Sequence, residues 1–190
     1  MNGMRMENYL EVESVNPADM NSIQMMDLFN FCAEASQEDL PPAVNMQVDG
    51  YEEKPETLLH KLWISKEYER LFLAYQADKL VGVSACYSLN SKVMICGCRS
   101  WTVPSMRTKY VHGNHIFPAQ FKYAKEKGFN AAWFTFNDYN AWLYKFLKRI
   151  SEGKATAFGM KNSDTYKDLT FLEGEMLIKG VSQLVAIKKL

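Results

Sequence analysis

Between Tyr9 and Val15, the set Leu10, Val12 and Ser14 alternates with Tyr9, Glu11, Glu13 and Val15, a period of two that predicts a short strand. Asn16-Pro17-Ala18-Asp19 follows with helix-start chemistry, and Met25, Leu28, Phe29 and Cys32 recur at helical spacing, which predicts a helix over Pro17 to Ser36 with one buried stripe. The period is lost from Gln37 to Glu53, where acids mix with Gly50 and the pair Pro41-Pro42. This is a long loop, the kind of connection that often carries function. Beyond Pro55, the triplet Leu59, Leu62 and Trp63 marks a short second helix ending near Ser65.

The middle of the chain returns to a period of two. Arg70 to Gln76, Lys79 to Leu89 and Lys92 to Val103 are rich in β-branched, aromatic and small apolar residues, and the breaks at Ala77-Asp78 and Asn90-Ser91 are turn-sized, so the pattern predicts an antiparallel meander. In the last of these strands Val93, Ile95, Gly97, Arg99, Trp101 and Val103 share one face, and Met94, Cys96, Cys98, Ser100 and Thr102 the other. Both faces are fairly apolar, as in a central strand. Helical spacing resumes with Phe117, Phe121 and Ala124 and stops at Gly128, a residue suited to a left-handed cap. Asn130 to Phe136 then reads as a strand, and the intervening helix allows it to run parallel to the strand before that helix. Tyr139, Trp142, Leu143, Phe146, Leu147 and Ile150 define a last helix, and Leu169 to Lys179 with Val181 to Lys188 form a hairpin around Lys179-Gly180. Gly153 to Asp168 carries no legible element. The expectation is one α/β domain over residues 1–190, a mixed sheet in the order β-α-α-β-β-β-α-β-α-β-β.

Composition narrows the function classes. With 47% apolar and 13% aromatic residues, the 190-residue chain can bury a core, which excludes bulk disorder. Lys plus Arg equals Asp plus Glu at 22 each, so the broad positive field that binds nucleic acid or anionic membrane is missing and any phosphate binding has to be local. No apolar stretch approaches the ~20 residues of a membrane span, and Met1 to Glu13 lacks a hydrophobic signal core. A soluble, cytoplasmic protein is the expectation, and Cys32, Cys86, Cys96 and Cys98, each inside an apolar segment, read as reduced buried thiols.

Trp101-Thr102-Val103-Pro104-Ser105-Met106-Arg107 combines a strand end, a proline and a cation just before a helix. Together with the element order, this segment resembles the GNAT superfamily of acyl-CoA-dependent N-acyltransferases, in which Arg or Gln opens a loop R-x-x-G-x-G/A. The resemblance covers nearly the whole chain. It implies that backbone N–H groups of the loop wrap the pyrophosphate of acetyl-CoA or another acyl-CoA, with the next helix directing its dipole at the same anion. On that basis Thr102, Val103, Arg107, Thr108, Lys109, Tyr110, Val111, His112 and Gly113 are the expected cofactor-binding residues. Tyr110 and His112 stand where the family has small residues, and Gly113 comes one position late, which puts the close approach of backbone to phosphate in question. Arg107, Lys109 and His112 also read as a plain solvated basic turn.

A second segment, Phe136 to Tyr144, is similar to the family's motif after the fifth strand and keeps the Asn137-to-Tyr144 spacing, nearly two helical turns. The resemblance implies that Asn137, with Asn140 beside it, contacts the cofactor's pantetheine arm, and that the Tyr144 hydroxyl is the catalytic general acid that protonates the departing thiolate. The plainer reading of the same residues is a helix cap and a half-buried packing side chain. Acyl transfer also needs a neutral amine and backbone N–H groups near a bulge in the fourth strand to polarise the carbonyl. The glutamate that many family members carry on that strand is missing. Lys79 to Lys125 contains no Asp or Glu and Arg99 occupies the region, which leaves Glu34, Glu38, Asp39 or water to take the proton.

Three rivals stand beside this reading. Cys96, Cys98, His112 and His115 are zinc-type ligands, but Cys-x-Cys on a flat strand holds its sulfurs ~7 Å apart; no metal is expected. Cys98 with a histidine lacks the turn of a cysteine nucleophile. A ligand-binding or interaction module that keeps the fold with a remodelled loop is the third. The early methionines Met4, Met6, Met20, Met25, Met26 and Met46 suit either an adaptable binding surface or a flexible core. The expected partner is a small-molecule or peptide amine, with no nucleic acid or membrane, and a homodimer is left open.

Overall fold

The computed structural model describes residues 9–36, 59, 67–136, 141–154 and 163–190. Its strands are β1 (Leu10–Val15), β2 (Arg70–Gln76), β3 (Lys79–Asn90), β4 (Val93–Thr102), β5 (Ala131–Phe136), β6 (Leu169–Phe171), β7 (Met176–Ile178) and β8 (Val181–Lys189). They form a mixed sheet in the order β1-β2-β3-β4-β5-β8-β6, with β7 also paired to β8. The described helices are α1 (Ser22–Ser36), α2 (Phe117–Glu126) and α3 (Ala141–Ser151). The α/β architecture and its mixed sheet are those expected from the sequence.

The meander β1 to β4 is antiparallel throughout. Its first tight turn places Ala77 and Asp78 at positive φ, the backbone of a two-residue hairpin that follows the strand twist. In the second, Asn90 Oδ1 accepts from the N–H groups of Lys92 and Val93 at 2.8 and 3.0 Å. β4 lies mid-sheet and β5 runs parallel to it, with α2 as the crossover. α2 ends as the sequence predicts: Gly128 is left-handed at φ 83, its N–H reaches the Lys125 carbonyl, and the Phe129 N–H reaches that of Ala124. The core lies between sheet and helices, with Leu28, Phe31 and Cys32 from α1 and Phe121 and Ala124 from α2 buried in the same cluster as Phe72, Val83, Met94 and Phe134 of the sheet.

Several expectations need correction. Asn16 caps only a single 3-10 turn, Pro17–Asp19. α1 starts five residues later behind its own reciprocal cap, where the Asn21 side chain accepts from the Gln24 N–H and the Gln24 side chain from the Asn21 N–H. The buried stripe runs through Phe31, whereas Phe29 is 55% exposed. The C-terminal hairpin is interrupted, because β6 and β7 pair separately with β8 on either side of Gly174 at φ 79. Within the unplaced stretch, Ser163–Tyr166 is a 3-10 turn. Of the second helix only Leu59 is described; it is helical and packs on the core, and the rest lies outside the described residues.

Candidate active site

The parallel pairing of β4 and β5 runs from Val93↔Ala131 to Cys96↔Phe134 and goes no further. Beyond it β4 turns away through two irregularities, with Gly97 at φ 72 and Arg99 at φ 50. The regular face alternation expected for this strand therefore fails at Gly97 to Arg99, and the parallel strands diverge at their C-terminal ends. Glycine is needed at the first kink, since a Cβ there would sit 3.0 Å from the Phe134 ring on a left-handed backbone.

The bulge is held from behind by Gln120 of α2, which is fully buried. Its Oε1 accepts from the Gly97 N–H at 3.0 Å, and its Nε2 donates to Ser84 Oγ at 3.0 Å and to the Ala85 carbonyl at 3.2 Å. Ser100 Oγ lies 2.9 Å from Ser84 Oγ and donates to the Gly97 carbonyl at 2.9 Å. Sequence reasoning missed Gln120 and Ser84. The available signal was a long polar side chain one position before Phe121 on the apolar face of a helix, which in a packed core has to be hydrogen-bonded.

β4 leaves the sheet at Thr102 and Val103 and enters a 3-10 turn, Pro104–Lys109, with Pro104 in its first turn. Arg107 sits over the Trp101 ring at 5.4 Å, and Thr108 and Lys109 are exposed. Tyr110 then takes the left-handed conformation at φ 52, ψ 46. This is the position where the resembled loop has its first glycine, so the backbone turn is present without the residue that usually makes it, while Gly113 is not left-handed. The helix begins at once: the Asn114 N–H reaches the Tyr110 carbonyl at 2.8 Å, and His112–Ile116 forms a π turn that runs into α2. Helix geometry leaves the N–H groups of Val111, His112 and Gly113 without an acceptor inside the helix. Asn114 Nδ2 closes the turn on the Lys109 carbonyl at 3.2 Å, and the Tyr166 hydroxyl holds the Gly113 carbonyl at 2.7 Å.

His112, at the second small-residue position, points inward. Its Nε2 lies 3.0 Å from the Val83 carbonyl, which can only accept, so Nε2 carries the proton and Nδ1 accepts from the Thr102 hydroxyl at 2.8 Å. Burial lowers its pKa to about 4, against a smaller opposite effect of the Val83 bond. The ring is therefore a neutral bolt joining the loop to β3 and β4. Thr102 and Val111 are buried with it, so they support the loop from inside.

Tyr144 is buried on α3, and its hydroxyl donates to the Leu172 carbonyl at 2.8 Å. Its ring packs edge-on against Phe136 and Phe171. Leu172 bonds through its own N–H to Val185 of β8, on the edge of β8 away from β5. The hydroxyl is thus held by a backbone carbonyl on the far side of β8, while the ring itself packs on Phe136 at the end of β5. Burial, followed by Glu173, raises its pKa. The general-acid role implied by the resemblance requires the hydroxyl to exchange this bond for one to the departing sulfur. Tyr144→Phe is expected to cost about 1 kcal/mol of stability, the value of one hydrogen bond, and to leave any acyl-transfer rate within a few-fold; a fall of ~10² or more in turnover at unchanged donor affinity restores the acid role. Asn137 and Asn140 lie outside the described residues, as do Glu38 and Asp39, while Glu34 is paired with Lys79 at 3.6 Å.

Burial raises the thiol pKa of Cys32 and Cys98 to about 12 and that of Cys96 well above its ordinary value. Among the described residues no three His, Cys, Asp or Glu side chains converge on a metal-sized space, and no helix is long and apolar enough to cross a membrane.

Comparison with solved structures follows the same architecture over the whole chain. An acetyltransferase from Streptococcus agalactiae superposes with a TM-score of 0.56 at 12% identity, over 95% of this chain and 98% of that one. Escherichia coli ElaA gives 0.54 at 10% identity, over 95% and 100%. A GNAT-family acetyltransferase from Streptococcus pneumoniae gives 0.53 at 13% identity, over 96% and 99%. No protein-family profile matches the sequence, and no curated protein is similar to it. The fold is that of the GNAT N-acetyltransferases, as the motif order implied.

Proposed function

We propose that the chain is an N-acyltransferase that uses acetyl-CoA or a related acyl-CoA and acts on a primary amine. The observation that carries this is the left-handed turn at Tyr110 with a helix start directly behind it, at the end of β4 where β4 and β5 separate. A turn followed by first-turn N–H groups that have no acceptor inside the helix is an anion site, and Arg107 and Lys109 add charge to it. His112 takes no space there because its ring is bolted inward. The donor fits this chain through the backbone of Tyr110 to Gly113, with the thioester directed along the gap toward the bulge at Gly97 to Arg99.

When bound, the donor contributes an activated acyl thioester: the amine nitrogen bonds to the acyl carbon, the carbon–sulfur bond breaks, and the proton lost by nitrogen ends on the CoA sulfur. The chain's part is to orient the anion at the loop, to offer backbone polarity at the bulge and to exclude charge that would keep the amine protonated. No carboxylate occurs from Lys79 to Lys125, the stretch that builds β3, β4, the loop and most of α2, so a base from this wall is not involved. A second reading, a ligand-binding module without catalysis, is favoured by one observation: the Gly97 N–H is already taken by Gln120. Calorimetric titration with acetyl-CoA tests the first reading, with an expected Kd below about 1 mM. Absence of heat at that concentration removes the acyltransferase reading in favour of the second; binding without acyl transfer to any primary amine also leaves the second.

A further inference from the structure

Tyr166 meets the loop from a part of the chain that the motifs do not reach. It closes the 3-10 turn Ser163–Tyr166 ahead of β6, is almost fully buried, and sets its ring edge-on against Phe121 of α2 at 6.4 Å. Its hydroxyl donates to the Gly113 carbonyl at 2.7 Å, 53 residues back in the chain. That carbonyl lies inside a helix, where a main-chain donor ordinarily serves it. In an α register it takes the N–H of residue 117, and in a π register that of residue 118. Here the Phe117 N–H reaches the His112 carbonyl instead, and residue 118 is Pro118, which has no N–H. One helical donor is spent and the other missing, and the phenol takes their place. Burial raises the Tyr166 pKa, so the oxygen keeps the proton it donates.

This bond bears on the direction of an N–H group. The His112 carbonyl and the Gly113 N–H belong to one planar peptide and point opposite ways, so the bond that holds the carbonyl also aims the N–H. A slip from π to α register carries the Phe117 N–H from the His112 carbonyl to that of Gly113 and frees the peptide between them. Tyr166 opposes that slip by occupying the Gly113 carbonyl. The two preceding residues are fixed by other means. Val111 is buried against β3, where a Cβ on Gly82 would stand 3.0 Å from its Cγ1, and the His112 ring is bolted to Val83 and Thr102. Val111, His112 and Gly113, whose N–H groups have no acceptor inside the helix, are thus each held by a separate contact, and the one at Gly113 comes from outside β3 and β4.

We propose, resting on the acyltransferase reading, that Tyr166 is a positioning residue for the acyl donor: its hydroxyl holds the π turn in register and so keeps the Gly113 N–H aimed at the pyrophosphate. It acts through the main chain of the turn and is not a catalytic residue.

The test is Tyr166→Phe, which removes one oxygen and keeps the ring that packs on Phe121. Scalar coupling across the hydrogen bond, read in the 15N,13C-labelled chain without ligand, reports which carbonyl takes the Phe117 N–H. The parent is expected to couple Phe117 N to the His112 carbonyl carbon, and the variant to couple it wholly or partly to that of Gly113. Calorimetry with CoA is expected to show about 3- to 10-fold weaker binding in the variant, the equivalent of one ordinary hydrogen bond. A loss of packing alone lowers stability and leaves the coupling partner unchanged. Coupling to Gly113 already in the parent overturns the proposal whether or not the variant folds. So does an unchanged partner in the variant, or a changed partner at unaltered CoA affinity. A parent that binds no CoA at millimolar concentration removes the acyltransferase reading and the positioning role with it, while the coupling still decides whether Tyr166 holds the turn.

Discussion

Gln120→Leu is expected to lower the free energy of unfolding by about 3 kcal/mol, because it strands the Gly97 N–H and the Ala85 carbonyl in a buried setting at roughly 1–3 kcal/mol each. Leucine fills nearly the same volume, so the loss is one of hydrogen bonds and not of packing. Gln120 is fully buried and its three bonds run to both β3 and β4, which leaves water no route to replace it. The local signature is as specific as the global one: the Gly97 amide, protected in the parent, exchanges faster in the variant relative to Met94 and Ile95 on the same strand. Urea unfolding followed by native-state amide exchange measures both. A loss below about 1 kcal/mol, the size of a single ordinary hydrogen bond, together with an unchanged Gly97 exchange rate, means that the bulge stands without its plug.

Acid weakens the fold through His112. Its pKa is about 4 in the folded chain against 6.5 when unperturbed, so below pH 6.5 the unfolded chain takes up a proton that the folded one refuses. The contribution is complete above pH 6.5 and is lost as pH falls toward 4, with an upper size of about 3 kcal/mol for a shift of this extent. Exposed carboxylates titrate at the lower end of the same range, so the informative quantity is the difference between the parent and His112→Gln across pH 7 to 4. That variant is less stable than the parent at pH 7, where it lacks the Val83 and Thr102 bonds, and the gap is expected to narrow as pH falls. A gap that stays constant means that His112 titrates normally and is not held neutral.

Most of the architecture was legible because it depends on periodicity and punctuation. Ala77-Asp78, Asn90, Gly128 and Lys179-Gly180 each require a particular backbone, and each ends an element where the sequence says it does. The start of α1 was misplaced because two capping signals, at Asn16 and at Asn21, lie five residues apart, and only the second has a glutamine three positions on to complete the reciprocal pair. The β4 kinks were not legible as such. An arginine at positive φ is unfavourable in isolation and is sustained here by tertiary contacts, the Tyr68 hydroxyl among them.

The site was legible in outline, and the placement of its side chains was not, for a related reason. Tyr110 and His112 looked like obstacles in a loop that wants small residues, yet the first adopts the glycine-like turn and the second turns its ring into the sheet. Sequence spacing alone does not tell which side of a turn a side chain takes. Tyr144 shows the converse. Its spacing from Asn137 matches the motif, but spacing does not reveal that a backbone carbonyl outside the helix, at Leu172, claims the proton.

The most direct test is a titration of the uniformly 15N-labelled chain with CoA, read at every assigned amide. The expected result is saturable binding with the largest shifts at Val111, His112 and Gly113, the first-turn N–H groups behind the left-handed Tyr110, smaller ones along Gly97 to Arg99, and none at the Tyr144 end of α3. Binding with its largest shifts elsewhere, or no binding at millimolar CoA, contradicts the assignment of this loop as the pyrophosphate site.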